Sequence, residues 1–188
     1  GEDPFLSFNR GKYEQGSRNF MEIDDCKEIH KLLQSDITES MRDVGYYYLF
    51  MCYTGFRYTT ATALFNYDIH VIKDTRIIMP PQKKGMEVNI YIHELLRPVL
   101  NYIRDHKIKM TSQHFNKYLK VIGTLAKIKI PLTAHVGRHT FGGILAQLDT
   151  PIKVAQKLLG HKEIASTEIY FHMRDKSLDK AMKGFDSL

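Results

Sequence analysis

Cysteine is scarce in this chain. It occurs only as Cys26 and Cys52, without C-x-x-C spacing, so neither a disulfide framework nor a thiolate zinc centre is expected, and a reducing cytoplasm fits. Long hydrophobic runs are missing as well. The most apolar and aromatic stretch, 44–56, is too short and too interrupted to cross a bilayer, and the N-terminus lacks the charged, apolar and small-residue order of a secretory signal. His135 and His139 stand four apart but have neither the H-E-x-x-H frame nor a third ligand, so no metal is assigned to them. No run of acidic residues lies within 135–170, which argues against hydrolysis by paired carboxylates.

What is present suits one folded, basic domain. The 188 residues with 43% hydrophobic content are enough for one good core. The net charge is +6, and lysine and arginine are spread along the chain instead of being gathered in one arm, so the basic surface belongs to a folded body. Nucleic acid is the first partner such a surface suggests.

Residues 1–19 are polar, rich in glycine and serine and without sustained period, which predicts a linker or extended arm. Helical periods follow over 21–34, 40–53, 59–65, 93–106 and 111–126, with Ser112 as the expected cap of the last. Between them, 68–92 is rich in β-branched residues with alternating stretches at 75–79 and 88–92, which predicts a small antiparallel sheet of two or three strands with Lys83 and Lys84 at a hairpin tip. The fold expected is therefore α+β and mainly α-helical. Thr150-Pro151 opens another helix, on which Lys153 and Lys157 share a face that can meet phosphates. In the tail, Leu178, Met182 and Phe185 form one apolar stripe, able to pack on its own core or on a neighbour.

The chemistry concentrates in 135–170, where His135, Arg138, His139, His161 and Tyr170 supply a fixed cation, three imidazoles and a phenol. Were these to converge they would make a strongly positive site with one nucleophile, an arrangement suited to phosphoryl transfer. Upstream, Thr54-Gly55-Phe56-Arg57 puts an arginine directly after a tight turn. Leu158-Leu159-Gly160-His161 ends a helix and leaves His161 where a loop can aim it.

The order T-G-x-R, then H-x-x-R-H-T, then L-L-G-H, then a tyrosine nine residues later resembles the catalytic core of the tyrosine recombinases, or phage integrase family, across 54–170. The resemblance implies that Arg57 and Arg138 clamp a scissile DNA phosphate, that His161 adds a hydrogen bond to it and that Tyr170 attacks phosphorus. His135 becomes the general base, and one of the neighbours Lys83 and Lys84 the donor to the departing 5′-oxygen, with Lys83 favoured when Gly85 is aligned with the family's hairpin glycine and Lys84 then standing where threonine is usual. His139 is expected as a buried, hydrogen-bonded neighbour of the clamp. The chain departs from the family at Thr60, where an acidic residue that orients neighbouring groups is usual.

The same resemblance implies a catalytic domain over 20–188 with a C-terminal tail helix, preceded by a separate DNA-binding domain that is missing here. It further implies double-stranded DNA as partner, four protomers on two duplexes, a tail docked in trans, no cofactor and cytoplasmic, nucleoid-associated work for a mobile or integrative element. A type IB topoisomerase and a non-catalytic DNA-binding module are the alternatives.

Overall fold

The computed structural model describes residues 20–64, the backbone of 72–73, and residues 75–80 and 86–171. The expected arm at 1–19, the hairpin tip with Lys83 and Lys84, and the tail stripe lie outside the described residues.

Along the described chain three helices precede a small three-stranded sheet and four follow it. They are α1 (Ile23–Leu33), α2 (Glu39–Thr54), α3 (Tyr58–Ala63), β1 (Ile72–Lys73), β2 (Arg76–Met79), β3 (Val88–Tyr91), α4 (Leu96–Asp105), α5 (Ser112–Leu125), α6 (Ala134–Gln147) and α7 (Ile152–Leu159). A further helical stretch, 165–171, carries Tyr170. The mainly helical α+β architecture agrees with the expectation from sequence.

Helix α2 is the axis of the domain. The Thr38 side chain caps it by accepting from the Met41 amide, and from Val44 to Thr54 every residue is buried. A helix apolar on all sides must be wrapped by others, and α1, α4, α5 and α6 all pack on it. Its end is set by Gly55, whose left-handed φ of 70° and N–H bond to the Met51 carbonyl turn the chain sharply into Arg57. Cys26 and Cys52 are buried in this core as free thiols.

The flanking helices bury one face each. On α4, Leu96, Val99, Leu100 and Ile103 repeat at helical spacing and are all buried, each contributing roughly 1.5–3 kcal/mol relative to an exposed side chain. Helix α5 is capped by the Thr111 hydroxyl, which accepts from the His114 amide, so the expected cap at Ser112 is one residue late. Helix α7 likewise starts after Pro151, not from Thr150.

The sheet is antiparallel in the order β1-β2-β3. Ile77 pairs with Ile90, both buried, while Arg76 donates to the Asn89 side chain at 3.0 Å on the exposed face. The start of β3 rests against the end of α7: a methyl group added at Gly160 would meet Val88 at 2.7 Å. Sheet and site therefore share a wall.

Candidate active site

Three chain turns meet where the predicted residues converge. The first is the end of α2, where Gly55 frees the chain to place Arg57 as the exposed N-cap of α3. The second is the start of α6, capped by the Thr133 hydroxyl, which accepts from the Val136 amide at 3.3 Å. That cap puts His135 in the first helical turn and Arg138 and His139 in the next. The third is the end of α7, where Gly160, at φ 64°, stops the helix and releases His161.

Arg138 is buried, 8% exposed, and is held from both sides by backbone. One terminal nitrogen donates to the Gly55 carbonyl and the other to the Leu159 carbonyl at 2.7 Å. These are carbonyls at the C-terminal ends of α2 and α7, where unpaired lone pairs and the negative pole of the helix await a cation. Two backbone carbonyls thus orient Arg138, in a chain that has Thr60 where the resemblance leads to an acidic residue. Burial, and then the nearby Arg57, lowers the Arg138 pKa to about 10, so the guanidinium stays charged at neutral pH.

Arg57 and Arg138 open onto one cavity of about 500 Å³, lined also by Tyr58, Thr111, Ser112 and His135. The cavity lies at the N-terminal ends of α5 and α6, neither of which has an acidic residue in its first turn. Helix N-termini present unpaired N–H groups and a positive pole, so with two guanidiniums alongside the cavity is an anion receptor in kind.

Tyr170 is brought to this cluster by the helix 165–171. Its ring lies flat on α6 at Gly142, where an added Cβ would fall 2.6 Å from Cε2 and Cζ of the ring. Glycine permits that approach. The phenolic oxygen lies 2.7 Å from His139 Nδ1, and the Tyr170 pKa is raised by burial, with Arg138 pulling in the opposite direction. Tyr170 is 5% exposed.

His139 and His161 are held without charge at neutral pH. His139 is lowered to about 4, first by burial and then by His135 and Arg138. His161 is lowered to about 4 by burial and then by Arg138, Arg57 and His139, and its Nδ1 lies 2.9 Å from the hydroxyl of buried Thr167. His135 is exposed and meets His139 edge-on, with ring centroids 4.1 Å apart.

Arg57, His135, Arg138, His161 and Tyr170 thus come from separate parts of the chain into one region, while Lys83 lies outside the described residues. Lys153 and Lys157 are exposed on α7, beside the site and not in it. The hydrogen-bond partner of Tyr170 is His139 and not His135, to which the phenolic proton had been assigned from sequence. Tyr58, Thr111 and Thr167 were not singled out in advance. The Gly142-Gly143 pair within α6 was a readable sign of close approach, since paired glycines in a helix interior cost stability.

The fold and the cluster together define a mainly helical domain in which two arginines, three imidazoles and a tyrosine lie in one region. The phage integrase family model matches residues 20–177, and the chain belongs to that family, the tyrosine recombinases. Tyrosine recombinase XerD of Listeria monocytogenes serotype 4b (strain F2365) is 29% identical over 97% of this chain and 67% of its own length. XerD of Rickettsia bellii (strain RML369-C) is 25% identical over 96% of this chain and 68% of its own length. Among solved structures, XerA recombinase matches 88% of this chain and 64% of its own with a TM-score of 0.66 and 21% identity. The XerH site-specific recombinase, bound to palindromic difH substrate in a post-cleavage complex, matches 89% of this chain with a TM-score of 0.65 and 18% identity. The catalytic domain of bacteriophage HP1 integrase matches 87% with a TM-score of 0.60 and 20% identity. These structural likenesses establish the fold. The chain spans about two thirds of the curated XerD relatives and 53% of the XerH chain.

Proposed function

We propose that this chain cleaves and rejoins double-stranded DNA through a covalent 3′-phosphotyrosine intermediate, as the catalytic part of a site-specific recombinase of a mobile or integrative element, acting on nucleoid DNA in the cytoplasm. The observation that carries the proposal is the cavity with Arg57 and Arg138 under the N-termini of α5 and α6, with Tyr170 seated on the same helix as Arg138.

In this mechanism the two guanidiniums bind the non-bridging oxygens of one phosphate, and His161 adds a hydrogen bond as charge builds on the pentavalent phosphorus. Tyr170 Oη forms the new bond to phosphorus while the bond to the 5′-oxygen breaks. The 5′-oxygen takes a proton from Lys83, and the phenolic proton leaves by way of the imidazoles of α6, with His135 at the solvent side. The phosphodiester energy is retained in the phosphotyrosine, so a 5′-hydroxyl reseals the strand by the reverse step. Lys84, Lys153 and Lys157 supply contacts to the DNA backbone.

Complete exchange uses four protomers on two duplexes. An apolar groove of about 460 Å³ farther along α6, lined by Cys52, Tyr53, Phe141, Ile144 and Leu148, is the proposed seat for the Leu178, Met182 and Phe185 stripe of a neighbouring copy. Leu95 and Leu148 at its rim are 45% and 70% exposed, an apolar surface that a docked helix would cover.

Incubation with duplex DNA carrying a 5′-bridging phosphorothiolate, followed by denaturing electrophoresis, tests the central step. A covalent protein–DNA adduct is expected with the wild type and none with Tyr170→Phe. An adduct that survives Tyr170→Phe would sink the assignment, and relaxation of supercoils by the monomer would point to a topoisomerase instead.

A further inference from the structure

We propose that His139 is itself a catalytic residue: its Nδ1, 2.7 Å from the Tyr170 hydroxyl oxygen, is the atom that takes the phenolic proton as that oxygen attacks phosphorus. The inference rests on Tyr170 being the nucleophile, as proposed above.

The geometry separates His139 from the other imidazoles. His161 Nδ1 is engaged with Thr167 Oγ1, and His135 is exposed at the cavity mouth. Among the described residues no other side chain hydrogen-bonds to the Tyr170 oxygen. The helix makes this pairing rigid: His139 lies three residues before Gly142, so the nitrogen that meets the hydroxyl and the bare backbone that meets the ring are on one face of α6. Ring and hydroxyl are thus fixed together.

The groups around His139 decide its protonation. His135 and Arg138 face it from its own helix, and Tyr170 and His161 face it from the segment that follows α7. None carries a carboxylate, and three of the four are cationic or able to become so. His139 is therefore neutral at physiological pH and free to accept. Tyr170, raised by its burial, still carries its proton. In the tautomer that leaves Nδ1 bare, the phenol donates the one proton between the two atoms and Nδ1 accepts it.

The transfer balances as follows. The lone pair of Oη forms the bond to phosphorus, the O–H proton passes to Nδ1, and the P–O5′ electron pair leaves with the 5′-oxygen. Before attack the transfer is uphill, because a weakly basic imidazole faces a weakly acidic phenol. As Oη bonds to phosphorus its acidity rises steeply, and only then does the proton move. The imidazolium formed beside Arg138 is short-lived, and the edge-on contact with exposed His135 gives its proton a route to solvent. On resealing, His139 returns a proton to the departing phenolate.

A 5′-bridging phosphorothiolate isolates this step, because its thiolate leaving group needs no proton. Single-turnover adduct formation is measured from pH 5.5 to 9 on a duplex pool carrying that linkage, for the wild type, His139→Gln, His139→Ala with and without imidazole, and Tyr170→Phe. Glutamine keeps a hydrogen-bond acceptor for the phenol but cannot take its proton. Removal of a general base typically costs a factor on the order of 10², and that loss is expected for His139→Gln at pH 7. Its rate should then climb roughly tenfold per pH unit, as expected when hydroxide replaces the base, where the wild-type rate is flat. Added imidazole should restore part of the rate of His139→Ala.

Wild-type rates and a flat profile in both variants would overturn the proposal. A loss equal at every pH and untouched by imidazole would do the same, since it would mark a structural role. If the wild type forms no adduct, or Tyr170→Phe forms one, the nucleophile assignment fails first and takes this inference with it.

Discussion

Gly142→Ala is the most informative single change. The added Cβ would stand 2.6 Å from Cε2 and Cζ of Tyr170 and 2.7 Å from Cδ2, about 0.8 Å inside the 3.4 Å at which ordinary contact begins. The ring must retreat by that distance, and because Cζ carries the hydroxyl, the 2.7 Å approach to His139 stretches toward the limit of a hydrogen bond. Overpacking of this kind costs ~1–3 kcal/mol, while replacing glycine by alanine within a helix returns about 0.8–1 kcal/mol. The net destabilisation is therefore ~0–2 kcal/mol, or a fall in Tm of roughly 2–4 °C per kcal/mol for a domain of this size.

The sign of the coupling is sharper than the magnitude. In a Tyr170→Ala background the overlap is gone, so Gly142→Ala should become stabilising, with a coupling of ~1–3 kcal/mol between the two sites in a double-mutant cycle by urea denaturation. Cleavage should fall on the order of 10²-fold in the single variant, the loss expected when a reacting atom is displaced by about 1 Å. Additive stability effects would refute the seating of Tyr170 on α6. Unchanged or faster adduct formation would refute the idea that this seat is the working position of the nucleophile.

Two further outcomes are expected. Gly55→Ala forces a left-handed φ of 70° on a residue with a Cβ and drives that atom to 2.5 Å from Phe141, so a loss of ~2–4 kcal/mol in urea denaturation is expected; adduct formation should weaken too, since the Gly55 carbonyl holds Arg138. Stability should also fall on acidification, because His139 and His161 resist protonation down to about 4 in the folded chain, whereas the unfolded chain takes up those protons near the ordinary 6.5. The unfolded state binds more protons between those values, so stability rises with pH across this window and is complete above it; thermal melts from pH 4 to 7 should show the slope, and His161→Asn should reduce it.

By itself the sequence determined the parts. Periodicity located α1, α2, α4 and α5 because each buries a continuous stripe or, for α2, all its faces, and such patterns are local. Glycine punctuation located the turns at Gly55 and Gly160, where left-handed backbone is required. The order of arginines, histidines and tyrosine pointed to the family through motifs alone, and the match over 20–177 agrees with it. Where local rules nearly tie, the reading slipped by one residue, as with Thr111 and Ser112 as cap of α5.

Tertiary structure alone decided the partnerships. Arg138 reaches a carbonyl 83 positions away and Tyr170 a nitrogen 31 positions away, and no periodicity encodes distances of that kind. Which imidazole meets the phenol depends on how the helix 165–171 lies across α6, and that is set by the absence of a side chain at Gly142. The sequence reading took His135 as the general base and His139 as a hydrogen-bonded neighbour of the clamp, but no local rule says which of two imidazoles one turn apart on the same helix meets the phenol. Packing distinguishes them, leaving one in solvent and the other against the hydroxyl.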